Sequence, residues 1–152
     1  MRKVFLLTVV MFFFSVSYLK AQSSVDSVKM AIGKLFVAMK NSDSQAVLDC
    51  FADSAILQTI VKDRVGNTVI KTEKLIEFAR VIAYMPKESA DERISFDMVK
   101  VDGPLATAWT PYKFYVNGQF SHCGVNSFQL VRQGGIWMIQ YLIDTRRKQP
   151  CE

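Results

Sequence analysis

The chain contains a single histidine, His122, and it lies in the stretch GQFSHCGVNSFQLVRQGGIWMIQYLIDTRR, Gly118 to Arg147. An imidazole titrates near neutral pH, so it can act as a general acid or base or contact a ligand. Acid–base chemistry would need a partner, and the candidates are Tyr112 and Asp97, which lies on a predicted strand between Phe96 and Met98. The simpler alternative is a polar residue on a strand with no chemical role.

Other chemistries have no matching motif. The sequence shows no zinc-ligand spacing, no Gly-x-Ser-x-Gly nucleophile motif and no phosphate-binding glycine loop. It carries 19 Lys and Arg against 14 Asp and Glu, but Arg2, Lys3 and Lys20 lie in the first 22 residues. The one basic cluster is Arg146-Arg147-Lys148 near the end. We therefore expect no metal, no cofactor and no nucleic-acid partner.

The N-terminus has the pattern of a secretory signal peptide. Arg2 and Lys3 precede the apolar run Val4 to Phe14, and a more polar stretch leads to Ala21 and Gln22. The run is shorter than the ~20 residues that a membrane-spanning helix needs. We predict that residues 1–22 are a signal peptide cleaved after Ala21 or Gln22, rather than a buried helix. Residues 23–152 would then form one exported domain, periplasmic or secreted, with no membrane attachment.

Three cysteines, Cys50, Cys123 and Cys151, would enter an oxidising compartment with that domain. An odd number allows at most one internal disulfide. The sequence leaves the pairing open, and three free thiols are the alternative.

The first half of the domain has helical periodicity. A helix is predicted from Ser24, with Ser24 or Asp26 as its cap, because apolar residues recur three and four positions apart: Val25, Val28, Ile32, Leu35 and Met39. A second helix follows the capping sequence Ser42-Asp43-Ser44-Gln45. A strand, Ala55 to Val61, turns into Thr68-Val69-Ile70. A third helix begins behind a Thr72 cap and ends before Pro86.

After the polar loop Lys87 to Glu92 the pattern becomes strand-like. Four segments are rich in β-branched and aromatic residues: Arg93 to Val101, Leu105 to Val116, Gln119 to Arg132 and Ile136 to Thr145. Asn117-Gly118 and Gln133-Gly134-Gly135 supply hairpin turns. The predicted class is α+β, with three N-terminal helices packed in a curved antiparallel sheet that forms a cone.

This order of elements resembles the nuclear transport factor 2-like superfamily, which includes ketosteroid isomerase, scytalone dehydratase and SnoaL-like proteins with a cystatin-like roll. More narrowly, FYVNGQFSHCGVNSFQLVRQGGIWMIQYLIDTRR is similar to the ending of exported bacterial proteins described as lumazine-binding. The resemblance implies a cone-shaped interior that binds a small, mostly apolar or aromatic molecule. It also implies a homodimer through the outer face of the sheet.

Alternation of side chains along each strand predicts the residues of that pocket, provided that no bulge intervenes. Phe128 marks the face toward the helices, so His122 and Asn126 share it. On the preceding and following strands the pocket faces are chosen in the same way. The predicted ligand-binding residues are the polar Tyr112, His122, Asn126 and Tyr141, walled by Phe114, Phe120, Phe128 and Trp137. Asp144 and Arg146 are predicted as a structural ion pair at the sheet end.

Three functions fit these features. We expect a small-ligand-binding domain rather than an enzyme, since no acid–base pair matches a motif. The isomerase site of the superfamily cannot be carried over, because the first helix, Val25 to Lys40, has no Tyr. The first alternative is an isomerase or dehydratase that uses His122 with an acidic or Tyr partner, Asp97 or Tyr112. The second is an interaction domain that works through the outer sheet face, with Trp109 and Tyr115.

Overall fold

The computed structural model describes residues 23–149 and 151 of the chain. The predicted signal peptide, residues 1–22, lies outside the described residues. None of the helices in the described ranges is both long and apolar enough to cross a membrane.

The described chain forms three helices and seven strands, in an order close to the predicted one. The helices are α1 (Ser24–Lys40), α2 (Ser44–Leu48) and α3 (Leu75–Tyr84). The strands are β1 (Phe51–Lys62), β2 (Thr68–Glu73), β3 (Ala90–Ile94), β4 (Met98–Asp102), β5 (Leu105–Val116), β6 (Gln119–Gln133) and β7 (Ile136–Thr145).

Local hydrogen bonds explain where the helices begin. The hydroxyl of Ser23 accepts from the backbone N–H of Asp26, so the cap of α1 is Ser23 and not the predicted Ser24 or Asp26. The carboxylate of Asp43 caps α2 by accepting from Ala46. The cap predicted at Thr72 is wrong, because Thr72 lies in β2 and α3 begins after Lys74 without a side-chain cap. An oxygen acceptor at the cap satisfies a backbone N–H that the helix leaves free.

The strands form one curved sheet in the order β2-β1-β7-β6-β5-β3, and β4 also pairs with β5. Consecutive strands from β5 to β7 pair antiparallel, as the hairpin turns predict. The α+β class is thus confirmed, but the sheet is mixed, since β1 and β7 run parallel. Turn signals predict the direction of strands that follow each other in the sequence. β1 and β7 are far apart in the sequence, so turn signals do not predict whether they pair parallel or antiparallel.

The single strand predicted from Arg93 to Val101 is divided into β3 and β4, both of which pair with β5. Pro111 of β5 lies at the division and accepts from the Ser95 N–H through its carbonyl. Proline has no N–H to return the bond, so the ladder is interrupted on that side.

The core lies between the helices and the concave face of the sheet. Val28, Ile32 and Leu35 of α1 are almost fully buried, as is Phe128 of β6. Phe36 of α1 meets the Phe128 ring edge-on, with ring centroids 6.3 Å apart. Each such side chain contributes about 1.5–3 kcal/mol when fully buried, so this contact surface fixes α1 against the sheet.

The disulfide joins Cys123 of β6 to Cys151 and closes a separation of 28 residues. Cys50 is free and half-buried, and its thiol donates to the carbonyl of Ala46. The bond therefore ties the end of the chain to the sheet.

Candidate ligand-binding pocket

A cavity of about 220 Å³ lies between α1, α3 and the concave face of the sheet. We call it the inner pocket. The two helices supply apolar walls, among them Leu35, Phe36, Phe78 and Ile82. The polar lining side chains come from the strands and from Arg146, which follows β7; they are Glu73, Glu92, Tyr112, His122, Asn126, Asp144 and Arg146. The pocket therefore has one apolar side and one polar side.

The centre of the polar side is the carboxylate of Asp144 on β7, which is 7% exposed. One oxygen accepts from the Thr59 hydroxyl at 2.6 Å, and the other from Arg146 Nε at 2.8 Å and Tyr112 Oη at 3.1 Å. Arg146 also donates to the Thr59 hydroxyl through Nη2. A buried carboxylate is stable only when paired and hydrogen-bonded, and this network meets that condition. Asp144 and Arg146 therefore form an ion pair.

Tyr112 of β5 belongs to this network because its hydroxyl donates to Asp144. Its hydroxyl also lies 2.9 Å from the Thr145 carbonyl oxygen. Burial, followed by the negative charges of Asp144 and Glu92, raises the pKa of the phenol. Tyr112 therefore stays protonated and serves as a hydrogen-bond donor.

Glu92 of β3 is a second carboxyl group in the inner pocket, and burial strongly changes its pKa. It is only partly exposed and faces the inner pocket, where one carboxyl oxygen accepts from Asn126 Nδ2 at 2.7 Å. Burial raises the pKa of Glu92 to about 7, although the Asn126 bond opposes this rise. Within the described ranges no basic side chain lies at ion-pair distance from Glu92. Loss of hydration is therefore not offset by a cation.

Glu73, at the end of β2, is a second partly buried carboxyl group whose pKa is raised by burial. It is half-buried on the opposite edge of the sheet, and burial raises its pKa against the effect of Arg146. The described residues give it no ion-pair partner either.

His122 lines the pocket but has neither of its predicted partners. Its Nδ1 lies 3.0 Å from the Ser121 hydroxyl, and its ring packs against Phe114 and Tyr112 with centroids 5.1 and 5.7 Å away. Asp97 is exposed on the bend between β3 and β4 and does not line the pocket. The Tyr112 hydroxyl is directed to Asp144. Burial, then Arg146, lowers the pKa of His122, so the ring is neutral at pH 7.

Of the eight predicted ligand-binding residues, the structure brings together Tyr112, Phe114, His122 and Asn126. The other four lie elsewhere. Phe128 is wholly buried against α1. Trp137 is buried near the start of α1, where its Nε1 donates to the Ser27 hydroxyl. Phe120 and Tyr141 lie on the opposite face of the sheet.

Two β-bulges account for those last two residues. The β5–β6 register shifts beside Phe114, leaving Ser121 unpaired and turning Phe120 outward, where it is 45% exposed. The β6–β7 register shifts at Gln140 in the same way. Tyr141 then faces outward, with its hydroxyl donating to Gln58 at 2.8 Å. A one-residue shift moves every following side chain to the other face.

The predicted ion pair between Asp144 and Arg146 is present, and the second bulge explains why it lines the pocket. Beyond Gln140 the faces exchange, which brings both residues into the pocket. Glu92 was missed because it was assigned to a polar loop. The available signal was the alternation of Ala90, Glu92 and Ile94, which places Glu92 on the same face as two apolar side chains.

Comparisons with known proteins bear on the fold. The sequence matches no protein-family model, and no curated protein matches it. Solved structures do match, among them a nuclear transport factor 2-like protein of unknown function from Shewanella baltica. It is 14% identical, with a TM-score of 0.66 over 89% of this chain and 100% of that one.

Two further structures agree with that match. A nuclear transport factor 2-like protein of unknown function from Shewanella oneidensis is 13% identical, with a TM-score of 0.63 over 81% of this chain and 99% of that one. A domain of unknown function with a cystatin-like fold from Nostoc punctiforme is 15% identical, with a TM-score of 0.64 over 85% and 81%. Identities this low establish a shared fold and nothing further.

Proposed function

From the premise that this chain has the nuclear transport factor 2-like, cystatin-like fold, we propose that it binds a small organic molecule in the inner pocket. The fold alone does not specify a function, so the proposal rests on the site. The observation that carries it is the pairing of apolar helix walls with convergent polar side chains around one cavity. Small-molecule sites have this composition, with a few polar groups that orient the ligand.

The size of the cavity limits the ligand. About 220 Å³ is below the ~300–1,000 Å³ of typical drug-sized sites. The ligand is therefore a compact molecule of one or two rings or an equivalent chain. Its apolar body would lie against α1 and α3, and its polar end against Glu92 and Asn126.

Two further features complete the proposal. The signal-like N-terminal sequence supports export to the periplasm or the medium. The outer face of the sheet carries Trp109, 43% exposed, and Met98, 36% exposed, which supports a homodimer through that face.

The test is a thermal-shift screen of small organic compounds against the protein and two matched variants. Val81 lines the inner pocket and is 55% exposed, so Val81→Trp should narrow the opening of the pocket without disturbing the packing of the core. Ile76 lies on the same helix and is 53% exposed but does not line the pocket, so Ile76→Trp is the control. Stabilising compounds should act on the protein and the control and lose their effect on Val81→Trp. Compounds that stabilise all three equally would contradict the proposal, as would a screen without stabilising compounds.

A second candidate function is proton-transfer catalysis, and Glu92 is the observation that favours it. A pKa of about 7 suits a general acid or base at neutral pH, and the neutral His122 lines the same pocket. Compounds from the screen can be incubated with the protein in D₂O and followed by NMR. Catalysis predicts isotope exchange or conversion that Glu92→Gln abolishes and Glu77→Gln, at an exposed position, retains. Binding without any chemical change would leave the pocket as a binding site only.

A further inference from the structure

The charges around the inner pocket are unbalanced. Three carboxyl groups line it, those of Glu73, Glu92 and Asp144, against the single guanidinium of Arg146. Arg146 is held by Asp144 and Thr59. The two remaining carboxyl groups come from opposite edges of the sheet and have no basic partner at ion-pair distance within the described residues. The pocket therefore has more carboxyl groups than cations, and Arg146 is already paired with Asp144.

We propose that the molecule bound in the inner pocket is a small organic amine, whose ammonium group lies against Glu92 and whose apolar body lies between α1 and α3. This inference rests on the proposed function and adds the chemical class of the ligand to it. An ammonium donor would reach the Glu92 carboxyl beside its Asn126 bond. A charge-assisted bond of this kind is stronger than a neutral one, particularly away from water.

The aromatic side chains of the pocket favour the same class. Phe36 and Phe78 line it from the helices, and Phe114 and Tyr112 from β5. The faces of aromatic rings attract cations, and sites that bind organic ammonium ions use them in this way. A carboxylate ligand would instead approach Glu92 and Glu73 with like charge, which disfavours binding. The pocket thus selects amines over acids of the same shape.

The pH dependence of binding follows from the groups that face Glu92. These are Asp144 on β7, Arg146 just after it, Tyr112 on β5, His122 on β6 and Glu73 on β2. The lining side chains of α1 and α3 are all apolar. Below pH 7 Glu92 becomes protonated and loses the charge that holds the ammonium group. Amine affinity should therefore fall as the pH is lowered, and binding near pH 7 should release a proton.

The experiment compares three probes of one shape by isothermal titration calorimetry: 2-phenylethylamine, 2-phenylethanol and 3-phenylpropanoate. At pH 8 the amine should bind at least about tenfold more tightly than the alcohol, and the acid should bind most weakly. Between pH 8 and pH 6 the amine affinity should fall about tenfold, which is the change in the charged fraction of a group with a pKa near 7, while that of the alcohol stays constant.

Glu92→Gln supplies the second arm. It keeps an oxygen to accept from Asn126, so it should lose at least about tenfold in amine affinity and far less in alcohol affinity, and a cooperative thermal melt shows that it is folded. Equal binding of amine and alcohol, or an amine affinity unaffected by Glu92→Gln and by pH, would overturn the inference. If none of the three binds while other compounds show the Val81→Trp effect, the amine class is wrong and the binding function stands. If no compound binds at all, both fail.

Discussion

Replacing Glu92 with Gln should stabilise the free protein at high pH and have little effect at low pH. Glu92 keeps its proton more readily in the folded state, where its pKa is about 7, than at the ordinary value of 4.5. A group with a raised folded pKa contributes stability below the unfolded value, and that contribution is lost as the pH rises through the folded value. The loss should therefore occur between about pH 4.5 and pH 7.

The magnitude follows from the same two values. The difference between 4.5 and about 7 corresponds to about 3 kcal/mol of free energy of unfolding. Gln has nearly the same shape as Glu and does not ionise. Its advantage over the natural residue should grow from about 1 kcal/mol at pH 5 to about 3 kcal/mol at pH 8.

Urea denaturation of both proteins at pH 5, 6, 7 and 8 measures this difference. Glu77→Gln, which removes an exposed carboxylate paired with Arg80, controls for the loss of one negative charge. The free energy of unfolding of Glu77→Gln should stay within about 1 kcal/mol of that of the unmodified protein at each pH. A constant difference between Glu92→Gln and the unmodified protein across the pH range would refute the placement of Glu92 in a desolvated pocket.

Further substitutions test the disulfide, the sheet and the buried network. Cys151→Ser should cost about 3–4 kcal/mol of unfolding free energy, from the length of the closed loop, and Cys50→Ser far less; thermal melts with and without reductant measure both. Gly124→Ala should lower the free energy of unfolding by more than about 2 kcal/mol in urea denaturation, since its Cβ would overlap the backbone of Thr145 in β7. Gly33→Ala in α1 meets no atom and should raise the free energy of unfolding by about 0.5–1 kcal/mol. Asp144→Asn should cost about 1–3 kcal/mol in the same assay, because it weakens three hydrogen bonds around a buried carboxylate.

Periodicity and turn signals predict the order of elements except for the division between β3 and β4. Helical spacing identified α1 and α3, and Asn117-Gly118 identified the hairpin between β5 and β6. These features depend on residues close together in the sequence. The parallel pairing of β1 with β7 does not, because it joins strands at the two ends of the domain.

The site was predicted only up to the first bulge on each strand. On β6, Asn126 and His122 keep the parity of Phe128 and reach the pocket, but Phe120 lies beyond the unpaired Ser121 and does not. On β7 the extra residue, Gln140, exchanges the faces. A bulge is set by pairing with the neighbouring strand, so a single sequence does not reveal it.

The missed acidic group shows a different difficulty. The sequence pattern places Glu92 at the end of the polar loop Lys87 to Glu92, and charged residues in such loops are usually exposed. Its burial depends on the curvature of the sheet, which folds β3 toward β7 around the pocket. The alternation of Ala90, Glu92 and Ile94 indicates which face Glu92 occupies, but the curvature that buries this face has no local signature in the sequence.

The most direct measurement of the central claim is the position at which a ligand binds. A spectrum of ¹⁵N-labelled protein, titrated with the most stabilising compound of the screen, reports on the side-chain amide of Asn126 and the ring of His122. Both signals should shift at the concentrations that stabilise the protein. Shifts confined to the outer face of the sheet, around Lys113, Tyr115 and Phe120, would contradict a ligand-binding inner pocket.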